Sequence, residues 1–513
     1  MRSWESLLLL ADLLAFFSLS IRQVRGRLCM RNSPVIVWVT SMALVMAAAQ
    51  WLAEGPRWQM LPAYVLAVLF ALVGSLQNTA LTGNLSARKK PHPTAAVAIA
   101  LGALGLAIAA ALPMLAPVFR FAPASGPYAI GTLAYHWVDA SRAEALAADA
   151  NERRQLMVQI WYPAQVNSSA HRAAYITNAD IVTAAFARLL DMPAFIFGHF
   201  QYVNTNASSS AAAAADPQHH PVLLFLEAAT GFRQMNTFQV EHLVSHGYIV
   251  VAIDQPGVAA AVVFPDGRHA VGLTLPQFHA VVRPSYIPNW TNATQTRVLL
   301  PNGSTLPDNS IIPYLAQDVS FTLDQLAALN RADPHGILAG KLDLQRVGVF
   351  GVSLGGIVAG EAYRLDARLR ACLVMDAPMS IDVVNASLKQ PSMWITRDAA
   401  SMRLERLRAG GWPDAEIEAH QTSMRAVYEG LPGAGYFVRV PGMFHSNFTD
   451  VASWTPLSAV LGLSGPIDAR RAHGIVNAYS LAFFDRHLLG RPAPLLDGAA
   501  TQYPEVLFES RRP

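Results

Sequence analysis

Four apolar runs within the first 120 residues constrain the fold of this chain more than any other feature. They extend over residues 6–21, 35–53, 58–76 and 94–119. A helix needs about 20 residues to cross about 30 Å of hydrocarbon, and the last three runs have that length. Only 14% of the residues are charged, against about 25% in soluble globular proteins. The pattern predicts a transmembrane region of about four helices over residues 1–120.

The first run is shorter and contains Asp12. It is either a short span whose carboxyl group faces the bundle or a helix that lies in the interface. A carboxyl group inside a membrane can mark an ion path. Because the other runs offer Asp12 no partner, a packing or interfacial role is favoured.

Positive charge in short loops is retained on the cytoplasmic side of a membrane. The first and third loops carry the basic residues Arg22, Arg25, Arg27, Arg31, Arg88, Lys89 and Lys90. The second loop has only Arg57 and Glu54. We therefore expect an integral membrane protein, of a bacterial inner membrane, whose chain after the fourth helix lies on the periplasmic or extracellular side.

From residue 121 the apolar segments become short and alternate with Gly, Pro and polar loops. Seven segments predict strands: 156–161, 222–226, 249–253, 347–350, 372–375, 393–396 and 436–440. Helical stretches, such as 238–246 and 314–329, lie between several of them. Continuous apolar strands that alternate with helices predict a mostly parallel sheet covered by helices, an α/β domain over 121–513. Segments 204–220 and 264–309 are interpreted as flexible insertions.

Composition also limits the chemistry. The formal net charge is only +3, so there is no basic excess for binding nucleic acid. Two cysteines, Cys29 and Cys372, lie far apart in the chain, which excludes a disulfide framework and a Cys-rich metal site. We expect no metal and no organic cofactor, with the membrane and a small substrate as partners.

The motif Gly351-Val352-Ser353-Leu354-Gly355 follows the predicted strand 347–350 directly and precedes a helical pattern. A strand, G-x-S-x-G and a helix form the nucleophile elbow, in which glycines permit the sharp turn that exposes the serine hydroxyl. Ser353 is therefore the predicted nucleophile, and the Leu354 amide is predicted to bind a developing oxyanion.

An acid and then a histidine must follow this serine in the chain. Asp376 and Asp398 each end a predicted strand, and the residues alone leave both open as the acid. Asp254 precedes the serine and is interpreted as a structural turn residue. His445 lies in a loop directly after strand 436–440 and is the predicted base. The later alternatives, His420, His473 and His487, lie on predicted helices and are assigned structural roles.

A second oxyanion donor is expected after an early strand. Strand 222–226 runs into Glu227-Ala228-Ala229-Thr230-Gly231, and the Ala229 amide is the predicted donor. A charged Glu227 would oppose an oxyanion, so we expect its side chain to point away or to accept hydrogen bonds within the loop. The apolar segment 193–197 is interpreted either as an acyl entrance or as ordinary core.

These residues resemble the plasma-type (isoform II) platelet-activating factor acetylhydrolases and their bacterial relatives, which have the α/β-hydrolase fold. The matching segments are 126–132, 156–163, 245–254, 349–356, 375–376 and 445–448. The resemblance implies that the acid follows the strand after the elbow helix, which favours Asp376 over Asp398. Two positions depart from the family: Val352 stands where a histidine is common, and Glu227-Ala228 replaces a His-Gly pair.

The resemblance implies a serine esterase that cleaves carboxylic esters, with short-acyl phospholipids among the expected substrates. The apolar runs, which the resemblance does not cover, predict that this esterase is anchored in a membrane. One alternative is a cutinase-like polyester esterase on the same fold. The other is a non-catalytic membrane receptor that retains the fold, motivated by the unusual Glu227-Ala228 pair.

The orientation predicts the behaviour of reporter fusions placed after Arg120. Because the basic loops are expected in the cytoplasm, alkaline phosphatase fused there should be active and green fluorescent protein dark. Pro113 and Pro117 could bend the fourth run into a re-entrant segment. A bright fluorescent fusion with an inactive phosphatase would contradict the orientation.

Overall fold

A computed structural model describes residues 1–511 except 26–33, 80–92, 148, 150, 166–170, 217–218, 286–310, 387 and 390. Two compact units are present. The first comprises Met1–Phe119 with Trp454–Pro456, and the second comprises Arg120–Ser453 with Leu457–Pro513. Of the basic loop residues used above, Arg27, Arg31, Arg88, Lys89 and Lys90 lie outside the described residues, as does Cys29.

The first unit is built from four long helices. They are α1 (Ser3–Arg25), α2 (Pro34–Glu54), α3 (Leu61–Thr79) and α4 (Pro93–Leu115). Four stretches of 19 or 20 residues are long and apolar enough to cross a membrane; three lie within α1, α2 and α4, and the remaining one, Trp58–Leu76, includes the turn before α3. Helix α1 packs against the other three, and Asp12 is fully buried among them.

A buried ion pair joins three parts of this unit at one end. The Arg57 guanidinium lies 2.6 Å from a Glu5 carboxylate oxygen, and both side chains are buried. Arg57 also donates to the carbonyl of Ala116, just after α4. The start of α1, the connection between α2 and α3, and the end of α4 therefore meet, so successive helices run antiparallel.

The second unit is organised around an 11-stranded sheet with the strand order β13-β12-β11-β10-β9-β5-β6-β2-β1-β4-β3. Its strands are β1 (Ala129–Ala143), β2 (Arg153–Ala164), β3 (Arg172–Ala174), β4 (Asn204–Ser209), β5 (His220–Leu226), β6 (Ile249–Asp254), β9 (Leu342–Val352), β10 (Leu369–Met375), β11 (Ser392–Thr396), β12 (Gly435–Arg439) and β13 (Leu507–Arg511). A separate hairpin pairs β7 (Ala261–Val263) with β8 (His269–Val271). The six neighbouring strands from β12 to β6 are all parallel.

Helices cover both faces of the sheet. They are α5 (Ala179–Leu189), α6 (Thr237–Ser245), α7 (Leu275–Val282), α8 (Ile312–Arg331), α9 (Leu354–Leu365), α10 (Ile381–Ala386), α11 (Ala399–Ala409), α12 (Asp414–Gly430) and α13 (Ala469–Leu489). Alternate residues of a strand point to opposite faces. In the fully buried β5, Val222 and Leu224 therefore join the core beneath α8 and α9, while Leu223 and Phe225 join that beneath α6 and α13. The predicted α/β architecture is confirmed.

The interpretation of residues 204–220 as a flexible insertion was wrong. Strand β4 pairs with β1 in this segment, and Ala213 bridges to Ala164. The carboxylate of Glu241 on α6 also accepts the backbone N–H groups of Asn206 and Ala207, at 2.7 and 3.1 Å. Small residues carry little hydrophobic signal, so these pairings were not visible in the sequence.

A buried arginine ties the antiparallel end of the sheet to α8. Arg154 on β2 lies 2.5 Å from Asp318 and 2.8 Å from Glu144, with its side chain fully buried. The exposed Arg153 precedes it on the same strand. Removing one partner of a buried ion pair leaves an uncompensated charge and costs about 3–5 kcal/mol.

We therefore expect Arg154→Met to lower the thermal unfolding temperature of the full chain by several degrees. Arg153→Met should leave it nearly unchanged. Thermal unfolding of both variants in detergent tests this, and equal melting temperatures would contradict the role of the Arg154 cluster.

Candidate active site

Ser353 occupies a strained turn between β9 and α9. Its φ of 57° and ψ of −124° lie in a region that residues other than glycine rarely adopt. Such strain persists only where the surrounding structure enforces it, and it clusters at functional sites. Here the Ser353 amide donates to the carbonyl of Met375, at 3.0 Å.

The motif glycines are required by close backbone contacts. A Cβ atom on Gly351 would lie 2.2 Å from the carbonyl oxygen of Gly355. One on Gly355 would lie 2.1 Å from the carbonyl oxygen of Leu226, at the end of β5. Neither contact could accommodate a side chain, so these glycines hold the start of α9 against the loop after β5.

The predicted acid and base meet. Asp376 follows β10 with a φ of 45°, and its Oδ2 lies 2.6 Å from His445 Nδ1. The Asp376 side chain is fully buried, whereas His445 is 25% exposed. Because the acid accepts the Nδ1 proton, the neutral ring has its acceptor lone pair on Nε2. The Ser353 hydroxyl forms no hydrogen bond with the described residues, and such contacts often tighten only when substrate binds.

Asp376 is held ionised by its partners. Burial raises the pKa of this carboxyl, but the Arg397 guanidinium and the hydrogen bond with His445 outweigh it and hold the pKa well below its usual range. Arg397 Nε lies 2.9 Å from Oδ2, and Thr396 donates to Oδ1 at 3.0 Å. The carboxylate therefore stays charged throughout the neutral range.

The structure places Asp398 elsewhere. Its side chain caps the N-terminus of α11 by accepting the Ser401 amide at 2.8 Å. Two of the other histidines also have structural contacts: His473 stacks on Phe238 at 3.8 Å between ring centroids, and His487 contacts the Tyr436 hydroxyl at 3.0 Å.

His420 was assigned to a helix with only a structural role, yet it lies beside the acid. Its Nε2 is 3.7 Å from Asp376 Oδ1. Burial lowers the pKa of His420 to about 4 despite the nearby carboxylate, so the ring is neutral at pH 7. Its position on α12 carries no local sequence signal, because the contact depends on how α12 packs against the sheet.

Neither predicted oxyanion donor, the amide of Leu354 or that of Ala229, has a backbone acceptor in the part of the chain that the structure describes. Leu354 is the first residue of α9, where backbone N–H groups have no intrahelical acceptor. In the loop after β5, Thr230 and Gly231 donate to the carbonyls of Val258 and Ala228. The Ala229 amide between them has no acceptor among the described residues. Thr230 has a φ of 60°, a third strained residue at this edge of the sheet.

Glu227 is buried beside Asp254. Burial, followed by the charge of Asp254, raises the pKa of Glu227 well above its usual range. One oxygen accepts the Gln255 amide at 3.4 Å. Asp254 meanwhile accepts the Arg233 amide at 2.6 Å and pairs with its guanidinium, a structural role like that expected. The raised pKa favours the uncharged form of Glu227, the form that would not oppose an oxyanion in the adjacent loop.

Segment 193–197, interpreted as an acyl entrance or core, forms a turn rather than a strand or helix. Phe195 is 56% exposed, while Phe197 packs on Phe186 and Phe200. The segment is therefore partly a surface and partly an aromatic cluster.

Comparison with known proteins agrees with this geometry. The family model of platelet-activating factor acetylhydrolase, isoform II, matches residues 116–269. A solved ferulic acid esterase from Streptomyces cinnamoneus is 26% identical, with a TM-score of 0.57, covering 76% of this chain and 99% of that one. The chain is thus similar to platelet-activating factor acetylhydrolases over these residues, and its fold is that of the α/β hydrolases. The predicted fold class is thereby confirmed.

Two curated relatives extend the comparison. A probable 1-alkyl-2-acetylglycerophosphocholine esterase of Arthroderma benhamiae is 24% identical over 301 residues, which are 56% of this chain and 66% of the relative. The platelet-activating factor acetylhydrolase of Cavia porcellus is 24% identical over 276 residues, 52% of this chain and 58% of the relative. The chain thus spans somewhat less than two thirds of these relatives, and the family model ends before Ser353.

The geometry distinguishes the two candidate acids. Asp376→Asn should lower the rate of p-nitrophenyl ester hydrolysis by about 10⁴, because the amide favours the wrong histidine tautomer. Asp398→Asn should change it less than about threefold, since asparagine also caps helices well. Steady-state kinetics of both variants test this, and the reverse order would move the acid to Asp398.

Proposed function

We propose that this chain is a membrane-anchored serine hydrolase of carboxylic esters. The observation that carries the proposal is the 2.6 Å contact between Asp376 and His445 at the same sheet edge as the strained Ser353. The order of nucleophile, acid and base in the chain supports it, as does the raised pKa of Glu227 beside the candidate oxyanion loop.

In the proposed reaction, Ser353 Oγ attacks the acyl carbon while His445 Nε2 accepts its proton. Asp376 orients the imidazole and stabilises the imidazolium. The amides of Leu354 and Ala229 bind the negative oxygen of the tetrahedral intermediate. The intermediate collapses when His445 returns the proton to the leaving alcohol. Water activated by His445 then hydrolyses the acyl-enzyme and restores the serine.

The proposed substrate class is a lipid-like ester with a short acyl group, such as a short-acyl phospholipid. The names of two relatives support this class: one is a probable 1-alkyl-2-acetylglycerophosphocholine esterase, and the other is a platelet-activating factor acetylhydrolase. The four apolar helices support anchoring in a membrane through residues 1–120. The basic residues of the first and third loops are the argument for placing the hydrolase domain, residues 121–513, on the outer side. A cutinase-like polyester esterase is the alternative within the same chemistry.

A fluorophosphonate probe tests the enzyme against the non-catalytic receptor. The full chain in detergent should be labelled at Ser353, and Ser353→Ala should abolish labelling. The same variant should lose about 10⁴ to 10⁶ in esterase rate, while retaining its thermal unfolding temperature because only one oxygen atom is removed. A folded wild-type sample without labelling would favour the receptor.

A panel of p-nitrophenyl esters and dispersed phospholipids with sn-2 chains of increasing length tests the substrate class. We expect kcat/KM to be highest for short acyl groups. Preference for polyester over phospholipid would favour the cutinase-like alternative.

A further inference from the structure

Three buried charged residues form a cluster behind the candidate base: Asp376, Arg397 and Glu405. Arg397 follows β11, and its Nε lies 2.9 Å from Asp376 Oδ2. Its Nη1 pairs with Glu405 on α11. The Arg397 and Asp376 side chains are fully buried, and that of Glu405 is 12% exposed.

Both carboxylates of this cluster hold the same histidine. Asp376 accepts from His445 Nδ1 at 2.6 Å, and Glu405 Oε1 accepts the His445 backbone amide at 3.1 Å. Arg397 lies between them, so one guanidinium fixes both acceptors. Because its donors form a rigid planar fork, it also sets the separation of the two carboxylates.

An aromatic ring closes the cluster on the side of the histidine. The Arg397 guanidinium lies over Trp412, 4.6 Å from the ring centroid. The His445 ring packs edge-on against the same indole, with centroids 4.9 Å apart. The arginine therefore positions the histidine in two ways. It holds the carboxylates that contact His445, and it packs on the indole that the imidazole also contacts.

We propose that Arg397 is a positioning residue that balances the charge facing His445, so that the base remains unprotonated in mildly acidic solution. The proposal rests on the proposed hydrolase function. Asp376, Glu405 and Arg397 together carry one net negative charge. Without the guanidinium, the carboxylates that contact His445 at its ring and at its backbone amide would carry two negative charges. The imidazolium would then be over-stabilised relative to the base that catalysis needs.

Among the described residues, the other titratable group that acts on Asp376 is His420 on α12, with Nε2 3.7 Å from Oδ1. Burial lowers the pKa of His420 to about 4, so it adds no charge above that pH. The charge balance at His445 is therefore set by the three members of the cluster.

Substitutions that change this balance in opposite directions test the proposal. Arg397→Met makes the net charge of the cluster more negative, Glu405→Gln makes it neutral, and the double variant restores the wild-type value. An opposite charge at hydrogen-bonding distance shifts a titration by about one pH unit or more. In the profile of kcat/KM against pH, we expect the acid limb to move by about one unit to higher pH in Arg397→Met.

The other variants complete the comparison. The acid limb should move to lower pH in Glu405→Gln and lie near wild type in the double variant. Arg403→Met is the matched control, because Arg403 is on the same helix as Glu405 but 54% exposed, and it should not move the limb. The rate of fluorophosphonate labelling at Ser353, measured across the same pH range, gives a second readout. The final extent of labelling gives the fraction of each sample that is active.

A purely structural role predicts a different result. Arg397→Met and Glu405→Gln would then lower activity equally at all pH values, and the double variant would be worse than either. Limbs that do not move, or a double variant whose limb is not restored, would overturn the proposal while wild-type labelling and hydrolysis persist. Absence of labelling and hydrolysis in the wild type would instead remove the proposed function itself. If Arg397→Met does not fold, the shift in Glu405→Gln and its restoration in Arg397→Gln/Glu405→Gln, which has the wild-type net charge, decide.

Discussion

The common direction of six neighbouring strands is the constraint on which the candidate site depends. Parallel strands end at the same edge of a sheet, so the residues that follow β5, β9, β10, β11 and β12 are brought together. This gathers Glu227, Ser353, Asp376, Arg397 and His445, which are separated by up to 218 positions in the chain. Ligand sites in open α/β sheets lie beyond the carboxyl ends of the strands for the same reason.

Two buried carboxyl groups at this edge have pKa values shifted in opposite directions, and their surroundings explain the difference. Both lose solvation on burial, which favours the neutral acid. Asp376 gains a guanidinium and a histidine as partners and remains ionised. Glu227 faces another carboxylate, Asp254, whose guanidinium partner is already engaged, and its pKa is raised well above the usual range. A site that must stabilise a developing anion can therefore contain an acidic residue in its oxyanion loop.

The strands that were predicted are those with a continuous apolar sequence, such as β5 and β6, because burial on both faces excludes polar residues. Strand β4 was missed because its small and polar residues show no alternation of apolar and polar positions. Its pairing with β1 and its hydrogen bonds with Glu241 join segments that are distant in the sequence. The only indication in the sequence that Arg397 lies near the candidate site is that it directly follows a predicted strand. Its importance depends on Glu405 and Trp412, which approach through the packing of other segments.

The sequence by itself determined which residues could act as nucleophile and base, because the G-x-S-x-G turn needs glycines at two positions and the chain order leaves few histidines. It also determined the four apolar helices, through their length and composition. Only the tertiary structure decided between Asp376 and Asp398 as the partner of His445, since both end strands at the same edge. The Asp398 side chain caps a helix, and only the folded chain brings Asp376 within 2.6 Å of the imidazole. Long-range electrostatics, unlike local turns, have no signature in neighbouring residues.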